Sequence, residues 1–352
     1  MLDPFILTKI LTLSAISFVV AILWTPALTH ILYRFKLGKT IRADGETPIF
    51  TKMHKKKGGT PTMGGVLIWG TVLMVVVIFW LLSILFPESN IAAFNFLTRE
   101  QTWLPLAVLV LAGIIGLADH FFNVRKIGTH GGGIDIRHRL VLYTVVATIG
   151  AWWFYTKLEW DVLLIPLYGF VDIGIWYIPL FILVIVATSF SVNQTDGLDG
   201  LAGGTLASAF GAFTAISLIQ GRYELAAFCA VITGALIAFL WFNIYPARFF
   251  MGDTGAMSLG VTLGVVAMLT NSALLLPIIG FVFVLEALST IIQIASKRLF
   301  GRKVFLVAPI HHHYEALHWP EPKVVMRFWV ISWIAASLGV IVALLDAATI
   351  GI

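Results

Sequence analysis

Apolar runs of membrane-crossing length recur from one end of this chain to the other, and that repetition leaves few folds open to it. A helix needs roughly 20 mostly apolar residues to span a bilayer. Ten such runs lie near residues 7–33, 63–86, 103–122, 139–157, 177–192, 201–219, 224–242, 255–271, 273–294 and 326–348. Of the 352 residues 59% are hydrophobic and only 12% charged, and the mean hydropathy is +0.95, far from the balance of a soluble domain. In lipid the backbone must satisfy its own hydrogen bonds, so these runs are expected to be helices. No alternating pattern of barrel strands competes with them. The expected fold class is an all-α polytopic integral membrane protein with about ten transmembrane helices. Segment 158–176 is less apolar, holds Pro166 and Gly169, and reads as a short hairpin or re-entrant element.

Lys9 precedes the first apolar run, as in a signal peptide, but the run is too long, lacks a small-residue cleavage site and leads into a basic loop. It is read as a retained first span. Sorting the 23 Lys and Arg residues by loop puts 19 on one face and leaves Lys9, Arg99, Lys157 and Arg222 on the other. The positive-inside rule makes the rich face cytoplasmic and, with an even number of spans, both termini periplasmic. The net charge of +5 is explained by these flanking residues, so no nucleic acid partner is expected. The single cysteine, Cys229, lies in an apolar run and permits no intrachain disulfide.

The same sorting gathers Asp44, Asp119, Asp135, Asp196, Asp199, Asp253, Glu315 and three consecutive histidines on the cytoplasmic face. At the junction of the fifth and sixth spans stands Asn193-Gln-Thr-Asp196-Gly-Leu-Asp199-Gly. Its aspartates are three apart, so a helical turn would put both carboxylates on one face. The intervening glycines let a bulky anion approach the backbone. Carboxylates that hold a hard divalent cation beside backbone amides suit diphosphate chemistry, although either aspartate alone could be a helix cap.

A second glycine-acid element, Asn243 through Phe250-Met-Gly-Asp253-Thr-Gly255, precedes the eighth span. Asp253 is placed there either to cap that helix or to serve a site. Asp119-His120 closes the third span, where snorkelling is inexpensive; as a functional residue Asp119 would be a metal ligand, general base or nucleophile. Three adjacent histidines, His311, His312 and His313, cannot all face one ion from a regular helix or strand, so hydrogen bonding to a phosphate or nucleotide fits them better than zinc. Lys57 ends a basic run ahead of Gly-Gly-Thr-Pro-Thr62, within reach of an anionic substrate. Glu286 within the ninth run is costly unless paired, which makes it a functional candidate, with a helix-packing role as the equal alternative. No Walker A sequence, dinucleotide fingerprint or nucleophile elbow occurs, and no inverted repeat of the transporter kind is visible.

Taken in order, Gly-Thr-Pro-Thr-Met-Gly-Gly at 59–65, Asn-Gln-Thr-Asp-Gly-Leu-Asp-Gly at 193–200, Phe-Met-Gly-Asp at 250–253, Ala-Pro-Ile-His-His-His-Tyr-Glu at 308–315 and Trp-Pro-Glu-Pro-Lys at 319–323 resemble the phospho-N-acetylmuramoyl-pentapeptide transferase family, known as MraY. The family belongs to the polyprenyl-phosphate sugar-1-phosphate transferases. The resemblance implies one transmembrane catalytic domain over 1–352 in the bacterial inner membrane, its active site in the cytoplasmic loops. It further implies a Mg²⁺-dependent transfer of phospho-MurNAc-pentapeptide from UDP-MurNAc-pentapeptide to undecaprenyl phosphate, with lipid I and UMP as products, by a homodimer. Carried over by position, Asp119, Asp253 and His311 would be catalytic, and Asp253 and Asp119 would hold the metal. Lys57, Thr62, Asn193, Asp196, Asp199, Asn243, His312 and His313 would bind substrate. The chain departs from the family where His120 replaces a second aspartate, where Gln194 replaces a leucine, and where Arg137 and Arg139 replace lysines. A sister enzyme acting on a UDP-N-acetylhexosamine without peptide, and a transporter of anionic lipids or nucleotide sugars, are the rival readings. The triple histidine opposes the first, and the scarcity of charge within the spans opposes the second.

Overall fold

The computed structural model describes residues 3–34, 59–124 and 136–350; Asp44, Lys57, Arg125, Lys126 and Asp135 lie outside the described residues. Helices stand at every apolar run. They are α1 (Pro4–Arg34), α2 (Gly65–Leu85), α3 (Trp103–Val124), α4 (Ile136–Lys157), α5 (Tyr177–Thr195), α6 (Leu201–Ile219), α7 (Tyr223–Asn243), α8 (Gly252–Leu269), the single turn α9 (Leu276–Ile279), α10 (Phe281–Phe300), the short α11 (Ile310–Ala316) and α12 (Glu321–Ile350). Eight of them, α1, α2, α3, α5, α6, α7, α8 and α12, are long and apolar enough to cross a membrane. The protein is therefore a multi-pass, predominantly helical membrane protein. α4 and α10 occupy the two remaining runs but are more polar: α10 carries Glu286 and Gln293 and ends on Lys297 and Arg298.

The run at 273–294, read as one span, is broken. Pro277 lies in the first turn of α9, and the Gly280 N–H turns back to the Leu276 carbonyl at 2.7 Å, so the chain restarts as α10 from Phe281. Segment 158–176 does form a hairpin. Strands β1 (Val162–Ile165) and β2 (Gly169–Asp172) pair antiparallel, with Val162 opposite Asp172 and Ile165 opposite Gly169. Asn271, beyond α8, donates to the Val162 carbonyl at 3.0 Å and accepts from the Leu164 N–H at 3.1 Å.

α8 is the axis of the bundle, packed on α2, α3 and α5, while α7 packs on α1 and α6, and α12 on α6. Lipid supplies little hydrophobic drive between helices, so close backbone approach and buried hydroxyls must hold them together. Both are present along α8. Thr254 donates to the Gly113 carbonyl at 2.8 Å and Ser258 to the Leu109 carbonyl at 2.6 Å, while a Cβ on Gly65 would overlap the Gly255 Cα.

Candidate active site

The two glycine-acid elements meet the glycine-threonine turn at one end of the bundle. Residues 61–65 and 249–252 run side by side. The Phe250 N–H donates to the Pro61 carbonyl at 2.8 Å, the Gly64 N–H to the Phe250 carbonyl at 2.8 Å, and the Gly65 N–H to the Met251 carbonyl at 2.9 Å. Gly252 then turns the chain with φ +67°, against the Thr62 carbonyl where a side chain would collide. Only glycine meets both conditions without strain. α8 begins there, so Asp253 sits in its first turn and is not its cap, which is Met251. A carboxylate in a first turn is favoured by the exposed N–H groups of the helix end.

Around this turn the acidic residues converge. Asn193 donates from Nδ2 to Asp253 Oδ1 at 2.8 Å, and the Gly252 N–H donates to Asp196 Oδ2 at 2.9 Å. The Ala247 N–H donates to Asp199 Oδ2 at 3.0 Å. Asn243 accepts from the Gly200 N–H at 2.9 Å and donates to the Phe249 carbonyl at 2.8 Å. Asp196 and Asp199 do not share a helical turn as their spacing suggested. Asp196 caps the end of α5, residues 197–200 form turns, and both carboxylates nonetheless face segment 247–252. Their accepted N–H groups make them braces for the loop as well as charges.

Asp119 is buried and follows Gly116 by three residues, on the same face of α3. A Cβ on Gly116 would come within 2.6 Å of the Asp253 carbonyl oxygen, so α3 brings Asp119 to the start of α8. Its neighbour His120 is also buried and meets the Thr62 hydroxyl, 2.8 Å from Nε2. The histidine in place of the family's second aspartate is thus tied to another position expected in the site.

The rings of His311 and His312 lie in contact on α11, 4.0 Å between centroids and tilted by 60°, while the ring nitrogens of the three histidines meet different partners. His311 and Glu286 are both fully buried, with His311 Nδ1 2.8 Å from Glu286 Oε2. The opposite ring nitrogen, Nε2, has no hydrogen-bond partner and lies against Gly197, where a Cβ would collide with it. His312 pairs with Glu315 at 2.7 Å. His313 accepts the Leu306 N–H at 3.2 Å and sets its edge against Phe305, so its contacts lie within its own loop. Lys323 and Arg327 both stack over Trp319, at 4.6 and 4.5 Å from the ring centroid.

Several partners were not among the expected site residues. Ser289 receives the Ile310 N–H at 2.9 Å and holds the start of α11. Glu321 receives the Asp199 N–H at 2.7 Å. Glu286 was marked by its charge alone, and the separation of 25 positions from His311 hid the pairing.

The metal implied by the resemblance suits the donors present. Asp119 and Asp253 offer oxygen ligands of the kind a hard divalent cation takes. Among the described residues no cluster of three or more His, Cys, Asp or Glu converges as a metal cage.

Residues 102–271, which carry Asp119 and both glycine-acid elements, match the model of glycosyl transferase family 4. Over 96% of its length the chain is 40% identical to a phospho-N-acetylmuramoyl-pentapeptide-transferase of Chloroflexus aggregans, of which it covers 90%. It is 38% identical to the enzyme of that name from Anoxybacillus flavithermus, over 94% of this chain and 97% of the relative. Against that of Shouchella clausii the identity is 39%, over 92% and 94%. Identity of this extent across every helix, joined to the convergence of the aspartates on one end of the bundle, shows that the chain belongs to the phospho-N-acetylmuramoyl-pentapeptide transferase family.

Proposed function

We propose that the chain transfers phospho-MurNAc-pentapeptide from its UDP conjugate to undecaprenyl phosphate at the cytoplasmic leaflet of the bacterial inner membrane. A phosphate oxygen of the lipid attacks the sugar-bearing phosphorus, the bond from that phosphorus to the bridging oxygen breaks, and UMP leaves, with lipid I as the other product. The observation that carries this reading is the packing of Gly116, one turn before Asp119 on α3, against the Asp253 carbonyl at the start of α8, beside the Asn193–Asp253 hydrogen bond. Phosphoryl transfer asks for positioning and charge neutralisation more than for covalent chemistry.

Asp253 and Asp119 would hold Mg²⁺, which supplies Lewis-acid neutralisation of the diphosphate when bound. Asp119 accepts the proton of the lipid phosphate, and Asn193 fixes the rotamer of Asp253. His311, oriented through Nδ1 by Glu286, presents Nε2 beside Gly197 to the substrate. Lys57, Thr62, Asp196, Asp199, Asn243, His312 and His313 complete the substrate contacts or brace them. α4 and α10 add two spans to the eight, which puts both termini outside and agrees with the 19 basic residues on one face. The working unit is a homodimer, and residues 1–352 act as one catalytic domain.

Purified protein incubated with UDP-MurNAc-pentapeptide, undecaprenyl phosphate and Mg²⁺ tests the reading: UMP is released when all three are present and not when one is omitted. Absence of UMP beside a competent control enzyme, or equal turnover of UDP-GlcNAc, overturns it. The role of Asp119 fails if Asp119→Asn keeps normal turnover while His120→Asp changes nothing.

A further inference from the structure

At the hairpin end of the bundle, about 28 Å from the aspartates along the 19 residues of α6, lies a small cavity of about 10 Å³. Its polar lining comes from Gln220, Ser272 and Asp346, and its apolar walls include Leu164, Ile216 and Leu275. Asp346, one turn from the end of α12, is 2% exposed. Its Oδ1 accepts the Leu167 N–H of the hairpin turn at 2.5 Å, whereas its Oδ2 is buried without a hydrogen-bond partner. Gln220 donates through Nε2 to the Thr270 carbonyl at 2.8 Å, which fixes the amide and leaves Oε1 buried and likewise without a partner. Ser272 donates to the same carbonyl at 3.1 Å, so its oxygen keeps its lone pairs. The cavity therefore presents acceptor oxygens, one of them a carboxylate's, while these side-chain donors are turned to Thr270.

A buried carboxylate oxygen and a buried amide oxygen without partners are costly unless something positive or proton-donating lies between them. The volume admits one particle of about the size of a water. An all-oxygen donor set selects a hard cation. One carboxylate balances one positive charge, and a divalent ion would leave an uncompensated charge in a low-dielectric interior. A neighbouring vestibule of about 370 Å³ shares Leu164 and Gln220 with the cavity and carries Glu159 and Asp161, carboxylates that favour a cation on that side. Arg222, the cation of that vestibule, stacks over Trp160 at 5.8 Å and does not line the inner cavity.

We propose that this cavity binds one sodium ion, held by Asp346 Oδ2, Gln220 Oε1 and Ser272 Oγ, which ties α12 and the hairpin to the ends of α6 and α8. The site is independent of the transferase chemistry at the opposite end of the bundle.

Thermal unfolding of the detergent-purified full chain tests this, with sodium, potassium and choline chloride compared at equal ionic strength. Expected is a saturable rise in Tm of about 3 °C in sodium over choline, smaller in potassium and absent in Asp346→Asn. Gln220→Glu adds a second carboxylate and should make calcium the stabilising ion, which keeps the test open if Asp346→Asn does not fold. The proposal fails if sodium and choline give the same Tm, or if Asp346→Asn or Gln220→Glu responds to sodium as the unaltered chain does. It also fails if Tm follows pH alone, which would place a proton on Asp346, or neither ion nor pH, which would place a water in the cavity.

Discussion

α8 and α1 are both long and apolar enough to cross a membrane, yet 89% of the most apolar stretch of α8 is buried within the protein and only 22% of that of α1. Burial runs against apolarity. α8 is rich in Gly, Ser and Thr, including Gly255, Ser258, Gly260 and Thr262, and α1 in Leu, Ile, Val and Phe. In water the buried helix would be the more hydrophobic one. In lipid the outer helix must match the acyl chains, and the inner one gains from close approach and from hydroxyls that bond a neighbouring carbonyl. A Cβ on Gly260 would come within 2.8 Å of the Ser189 Cα, and Leu23 of α1 is 72% exposed. The charged tip of α8 also belongs to this contrast, because the helix packed on most sides is the one that can hold a carboxylate still.

Substitutions at the candidate site, at the inner helix contacts and on α1 should separate in size and in kind. Asp253→Asn should lower the rate of UMP release by about 10³-fold, as loss of a group that stabilises transition-state charge does, with Tm unchanged in detergent. Equal loss of Tm would make Asp253 a packing residue. Gly65→Val, which drives a side chain into Gly255, should cost about 3 kcal/mol in denaturant unfolding. Glu286→Gln keeps an acceptor near His311 Nδ1 but removes the charge; kcat should fall about 30-fold with KM for the nucleotide substrate near its original value. A matched loss of stability would reduce Glu286 to a packing role. Ser258→Ala gives up the bond to Leu109 and should cost about 1 kcal/mol. Leu23→Ala on α1 should move stability by no more than about 0.5 kcal/mol, and a larger loss there would show that α1 is covered by another chain.

The helices were legible because a membrane imposes one length on every span, and a run such as 201–219 matches α6 end to end. The break at Gly280 was not read, because apolarity continues across it; Pro277 was the available signal. Candidate residues stood out where glycine lay beside acid, as at Asp196, Asp199 and Asp253. Their partners were not. Asp196 reaches Gly252 across 56 residues and His311 reaches Glu286 across 25, and no local pattern encodes which distant groups a helix bundle will juxtapose. The hairpin was foreseen as one of two options, since a moderately apolar stretch with Pro and Gly fits either.

The paired run of residues 61–65 with 249–252 bears on how a ligand would bind. Its backbone amides and carbonyls are already engaged with one another, so the floor beneath Asp253 is ordered before anything arrives. Binding there would cost the ligand its own freedom and little of the protein's. A rigid mimic of the transferring diphosphate should accordingly gain more from preorganisation than a flexible one, and its advantage should appear as slower dissociation.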